Sequence, residues 1–259
     1  MIDLIIDVGN SDTVLGLIQH DSLDLVSNSR ISTTMPPIAE EYENIFRTLF
    51  TNREVTPDDL NMIIMGSVVP SITYSLADIL ENMGNGYPVI VTAKSNLPIN
   101  LNVVDPIAVG VDRIANTLAA KEIYKRDTIV VDLGTATTFD CITADGVFIG
   151  GVISQGVQSG IEWLNKRTAE LPEVRLNPPK RVIGGQTKEC IRSGVFYSAV
   201  DAIDGIVNRI RREWETPDAY VVATGGYATM IAPHTETVEH IEPFLTLYGL
   251  ALAGRSIRG

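Results

Sequence analysis

Two aspartates in this chain sit where a carboxylate is hard to keep. Asp7 closes the apolar run Leu4-Ile5-Ile6 in MIDLIIDVGNSDT, and Asp132 closes Ile129-Val130-Val131 in TIVVDLGTATTFD. Burying a carboxylate is costly unless it is paired or bound to a cation. At the carboxyl end of a strand in an open α/β sheet, however, such a residue faces a ligand crevice. There it can hold a metal ion or the waters of one. The glycines that follow, Gly9 and Gly134, let backbone amides approach phosphate oxygens, with Asn10, Ser11, Thr13, Thr135, Thr137 and Thr138 as further donors. Turn-forming residues would explain one such stretch by themselves. Its recurrence favours a phosphate-binding cleft.

No GxxxxGK[ST] segment occurs, so the P-loop lysine is missing. A kinase without it must neutralise phosphate charge by another route. Magnesium positioned by a carboxylate such as Asp7 supplies one. A third motif is GVDRIANTLAA, residues 110–120. Asp112 at its start can cap a helix, a role worth about 1 kcal/mol. It can also act as general base toward a substrate hydroxyl. Arg113 beside it can hold a substrate carboxylate. In ATGGYA (223–228) a glycine pair after a strand suits close approach by a flat ligand such as adenine.

Other chemistries lack their residues. The three histidines, His20, His234 and His240, form no HExxH, and no GxSxG is present. Cys141 and Cys190 make neither a metal spacing nor a disulfide framework. A net charge of −12 without a basic block argues against nucleic acid or an anionic membrane as partner. No apolar run approaches a membrane span and no signal-peptide pattern opens the chain, so a soluble, cytoplasmic setting is expected.

The elements that must position these residues follow from periodicity. Strands are predicted over 2–8, 13–19, 23–32, 62–69 and 88–93. Helix faces are predicted at Ile38, Tyr42, Ile45 and Leu49, and at Ile72, Leu76, Ile79 and Met83. A loop over 95–108 then leads into the helix of GVDRIANTLAAKEIYKR. From Thr128 the order begins again: TIVVDLGT, TTFDCIT and VFIGGVIS as strands, and a helix marked by Val157, Ile161 and Leu164. After LPEVRLNPPKRVIG come a long amphipathic helix from Phe196 to Trp214 and the strand 219–226. A short helix, a strand around 236–242 and a final helix ending near Arg258 complete the chain. This is a duplicated domain, 1–118 and 119–259, with an insertion around 172–215 in the second copy.

The motifs DVGNSDT, GSVVP, GVDRIAN, DLGTATTFD, GGVISQG, RTAELP, IGGQT and ATGGYA, in this order, give the chain a resemblance to type III pantothenate kinases. That family belongs to the actin, sugar kinase and Hsp70 ATPase superfamily. The resemblance implies an α/β fold of duplicated ribonuclease H-like (actin-like ATPase) domains. Each would be a mixed five-stranded sheet flanked by helices, with the active site in the interdomain cleft. It implies ATP-dependent phosphorylation of pantothenate to 4′-phosphopantothenate, the first step toward coenzyme A. ATP would be held by Asp7, Val8, Gly9, Asn10, Ser11, Asp12, Thr13, Val14 and Thr135. Pantothenate would meet Gly110, Val111, Asp112, Arg113 and Thr187, with Asp112 as proton acceptor. Asp132 would bind a monovalent cation, potassium or ammonium, and Asp7 magnesium. A homodimer is implied as well. The chain departs from the family pattern at Ser11, Val111 and Gln155, and at Val103, which stands where a tyrosine is common. A non-catalytic ATP-binding regulator and a sugar kinase or exopolyphosphatase of the same superfamily are the alternatives.

Overall fold

The computed structural model describes residues 1–51, 56, 59–82, 86–167 and 171–258. Met83 of the second predicted helix face and residues 168–170 of the RTAELP motif lie outside them. In chain order the first elements are β1 (Ile2–Val8), β2 (Asp12–Gln19), β3 (Leu25–Ser32), α1 (Ala39–Thr51), β4 (Leu60–Ser67), α2 (Pro70–Leu80), β5 (Val89–Val91), β6 (Asn100–Leu101) and α3 (Val111–Ala119). Then come β7 (Thr128–Leu133), β8 (Ala136–Ile142), β9 (Val147–Gln155), α4 (Val157–Arg167), α5 (Thr187–Glu213), β10 (Tyr220–Thr224), α6 (Ala228–Ile231), β11 (His240–Ile241) and α7 (Leu245–Arg258).

The first sheet has the order β3-β2-β1-β4-β5. β1 and β2, and β2 and β3, are antiparallel, whereas β1, β4 and β5 run parallel. Alternation divides β1 between two faces. Ile2, Leu4, Ile6 and Val8 pack with Tyr42, Phe46 and Leu49 of α1 and with Ile72, Leu76 and Leu80 of α2. The predicted face of α1 holds at Tyr42, Ile45 and Leu49 and is joined by Phe46, while Ile38, just before the helix, stays exposed.

The opposite face of this sheet is covered by α7, the last helix of the chain. A Cβ on Gly66 would lie 2.6 Å from Leu250, and one on Gly16 would lie 2.8 Å from Leu247. Gly254 likewise leaves no room for a side chain against Ile64. Asp3, wholly buried at the start of β1, accepts hydrogen bonds from Asn61 Nδ2 (3.1 Å) and Arg255 Nε (3.3 Å). His20 Nδ1 lies 2.8 Å from the same carboxylate, so this histidine serves the fold. The chain divides into a unit of 1–99, 104–119 and 245–259 and a unit of 100–103 and 120–244. The last helix thus completes the unit that contains the first strand.

The second sheet repeats the first. Its order is β11-β10-β7-β8-β9-β6, so β9-β8-β7-β10-β11 mirrors β3-β2-β1-β4-β5 with the same senses of pairing. The sixth strand, β6, lies within the predicted loop 95–108 and runs parallel to β9. Ile129, Val131 and Leu133 of β7 face Ile161 of α4 and Phe196, Val200, Ile203 and Val207 of α5 in one core. The long helix begins at Thr187 rather than near Phe196; its first turns, TKECIRSGV, are mostly polar and hold Gly194, so apolar periodicity does not reveal them. The helix of residues 110–126 is also shorter than expected: α3 passes at Ala120 into one π-helical turn ending at Tyr124.

Candidate functional site

In the first unit the strand β1 ends in a tight loop. Gly9 N–H donates to Asp12 O (3.0 Å), and a Cβ on Gly9 would lie 2.8 Å from that oxygen. Thr33, just beyond β3, clamps the loop from the side. Its hydroxyl donates to Gly9 O (2.8 Å), its amide donates to Ser11 O (2.9 Å), and its Oγ1 lies 3.0 Å from Thr13 Oγ1. Asn10 and Ser11 stand exposed at the tip. Val8 is core, Thr13 is buried, and Asp12 pairs with Arg30 at 3.1 Å on the surface, where such a pair is worth little. Of the predicted nucleotide loop, then, Asn10 and Ser11 are the exposed residues. Thr13 serves the clamp.

Asp7 lies opposite Val14 on β2 and Gly66 on β4. Among the described residues no cluster of three or more His, Cys, Asp or Glu side chains could hold a metal. A divalent ion at Asp7 would rest on one carboxylate, water and phosphate oxygens, which is the usual habit of magnesium.

The catalytic candidate sits close by. Val68, in the turn after β4, donates its amide to Val8 O (3.0 Å), and its side chain reaches within 3.8 Å of where a Gly110 Cβ would be. The GSVVP segment therefore links the end of β1 to the start of α3. Gly110 O accepts the first helical hydrogen bond, from Ile114 N–H at 3.1 Å, which makes Gly110 the cap residue. Asp112 lies inside the first turn, and its Oδ1 accepts the Arg113 amide at 2.8 Å. A side chain at Gly110 would collide with that oxygen. Burial pushes the Asp112 carboxyl above the usual carboxylate range; the hydrogen bond from the Arg113 amide and the Arg113 charge pull down without cancelling the effect. A raised proton affinity moves a carboxylate toward the strength useful in a general base. Val111 is buried, so its departure from the family pattern is a packing change.

α3 is held in place by α7. Gly249 brings the two helices so close that any side chain there would collide with Ala115 O. Thr246 Oγ1 donates to Asn116 Oδ1 at 2.9 Å within the buried contact.

The second unit repeats the strand-end loop around Asp132. Gly134 N–H donates to Ala136 O at 3.1 Å, the counterpart of the Gly9 bond. The ATGGYA segment wraps this strand end. Gly225 has φ +89°, and a side chain there would collide with Asp132 Oδ1, while Tyr227 N–H donates to Leu133 O at 3.1 Å. The glycine thus makes room for a carboxylate. Thr135 is exposed, and Gly156 seats directly against its carbonyl. Thr137 is buried, and the hydroxyl oxygen of Thr138, on the other face of β8, is sealed from solvent. Thr187 opens α5 and lines a groove of about 640 Å³ with Phe139, Gln155, Trp163 and Cys190. Val103 packs near Gly150 of β9.

Comparison with known proteins bears on these motifs. The family model described as type III pantothenate kinase matches residues 3–209. The chain belongs to the type III pantothenate kinase family. A relative from Exiguobacterium sp., named type III pantothenate kinase, is 39% identical over 249 residues and 96% of each chain. Among solved structures, a ROK family glucokinase from Streptomyces griseus in complex with glucose and AMPPNP has a TM-score of 0.52 at 14% identity, covering 100% of this chain and 99% of its own. The activator of the 2-hydroxyisocaproyl-CoA dehydratase from Clostridium difficile, with bound ADPNP, has a TM-score of 0.54 at 9% identity, covering 99% and 95%. Those two likenesses show the fold: duplicated ribonuclease H-like domains of the actin-like ATPase type.

The clamp residue Thr33, the linking residue Val68 and the bracing residues Gly249 and Arg255 escaped sequence reasoning. Val68 lay inside a recognised motif. The others carry no local signal, because each acts across a distance in sequence.

Proposed function

We propose that this chain transfers the γ-phosphoryl group of ATP to the hydroxymethyl group of pantothenate, giving 4′-phosphopantothenate. One observation carries the assignment of the base: Asp112, in the family's Gly-x-Asp-Arg motif, is a part-buried carboxylate of raised proton affinity, bonded to the Arg113 amide in the first turn of α3. It orients the acceptor hydroxyl and takes its proton as the phosphoryl group moves. The loop Asp7–Val14 cradles the ATP phosphates with its amides, and Thr135 contacts ATP. Gly110–Arg113 and Thr187 receive pantothenate, with Arg113 facing its carboxylate. Magnesium held at Asp7 and potassium or ammonium at Asp132 would neutralise developing charge.

The protein is read as a cytoplasmic homodimer that binds neither nucleic acid nor membrane. The net charge of −12 supports the exclusion of nucleic acid. A coupled ADP-release assay with potassium and magnesium tests the reaction, comparing pantothenate, hexoses and no acceptor. Turnover is expected with pantothenate alone. Turnover without acceptor would make the protein a phosphatase, turnover on hexoses a sugar kinase, and none at all a regulator.

A further inference from the structure

The row of side chains around Asp132 holds more oxygen than the motif predicts. Its direct neighbours across the sheet are Thr138 on β8 and Thr224 on β10. Residues directly opposed on adjacent strands project to the same face, so the three side chains form one row. The hydroxyl oxygens of Thr138 and Thr224 are both sealed from solvent with no hydrogen-bond partner among the described residues. Thr224 as a whole is only 1% exposed. Leaving a buried hydroxyl unsatisfied is unfavourable, and native proteins retain few such groups without a water or an ion to meet them. Here two of them flank one carboxylate.

The duplicated half provides a control. At the matching position Asp7 is flanked by Val14 and Gly66, and neither side chain offers an oxygen. The backbone repeats and the donor set does not. One carboxylate and two neutral hydroxyls give an all-oxygen set with a single negative charge. That set lacks the nitrogen and sulfur donors that transition metals favour, and has too few carboxylates for calcium. It suits a monovalent hard cation. A hydroxyl oxygen also accepts a hydrogen bond from ammonium as readily as it faces potassium.

Resting on the assignment of a monovalent cation to Asp132, we infer that Thr138 and Thr224 are its flanking ligands, each contributing the hydroxyl oxygen. The clean test reads binding rather than turnover. Thermal unfolding of the full-length chain is followed across a potassium chloride titration, with ionic strength held constant by choline chloride and no substrate present. The parent protein is expected to show a saturable rise in Tm. Thr138→Val and Thr224→Val should each raise the potassium concentration at half-effect by about tenfold or more, a change of one oxygen ligand's order. In choline chloride alone both should melt at or above the parent, because a methyl replaces an unsatisfied hydroxyl. Thr224→Ser should keep the parent midpoint within about threefold, since it keeps the oxygen.

Valine variants with the parent midpoint, beside an Asp132→Asn variant that has lost the response, would overturn the inference and leave Asp132 as the cation residue. A response retained in Asp132→Asn, or absent from the parent, would overturn both. Equal losses in the serine and valine variants would assign the effect to packing and would also overturn the inference.

Discussion

Replacing Asp112 by asparagine should move activity and stability in opposite directions. The substitution keeps the shape of the side chain and an oxygen that can accept the Arg113 amide, now 2.8 Å from the carboxylate. It removes the base. General-base catalysis of this kind is worth roughly 10²–10⁴-fold, so kcat should fall by that factor, about 3–5 kcal/mol of transition-state stabilisation. The KM for ATP should hardly change, because the substitution leaves the Thr33 clamp on the Asp7–Val14 loop in place. Stability follows from the sign of the shift. The folded state raises the proton affinity of Asp112, chiefly through burial, so folding is favoured with the proton on. That contribution is fully present below the unfolded pKa and is lost as pH rises through the folded value. At neutral pH the ionised carboxylate therefore opposes folding, and the uncharged amide relieves it. Asp112→Asn should melt above the parent at pH 7, and the difference should vanish toward pH 3–4, near the ordinary carboxylate value. For the parent, kcat/KM should fall off on the acid side at a pH above the usual carboxylate range. Steady-state kinetics and melting curves across pH measure all of this. A variant within about threefold of parental kcat, or one less stable at pH 7, would refute the reasoning.

Two further outcomes rest on the braces of the first unit. Thr33→Val removes the hydroxyl that holds Gly9 O and meets Thr13, so the KM for ATP should rise several-fold while kcat changes less; equal effects on both would argue against a loop clamp. Arg255→Met takes the charged partner from the wholly buried Asp3, and urea unfolding should report a loss of about 3–5 kcal/mol, whereas a loss under about 1 kcal/mol would mean that His20 and Asn61 suffice.

How much of this was legible in the sequence depends on the range of the interaction. Asp7 and Asp132 were visible as a pair because an apolar run, an aspartate and a glycine are contiguous, and the sheets around them do repeat strand for strand. Asp112 was visible as a residue at a helix start, but the need for a glycine at position 110 to make room for its carboxylate is revealed only by the folded backbone. The inner face of α1 was found at Tyr42, Ile45 and Leu49 but missed Phe46, because periodicity cannot say which of two neighbouring apolar residues points further inward. Strand β6 is two residues long and exists only through its pairing with β9. Thr138 was marked only as a phosphate donor, and Thr224 carried no signal at all. A threonine in a strand is ordinary until its cross-strand neighbour is known.

The return of α7 to the first sheet has a consequence for the making of the protein. A ribosome delivers the chain in one direction, at roughly 5–20 residues per second. All of β7 through β11 emerges after α3 and before α7, so the second unit has every one of its residues while the first still lacks its closing helix. Until then Gly16, Gly66 and Ile64 lack Leu247, Leu250 and Gly254 against them, and Asp3 lacks its arginine. The unit that begins first is therefore completed after the second, and the turn that holds Asp112 is braced only once α7 has been made.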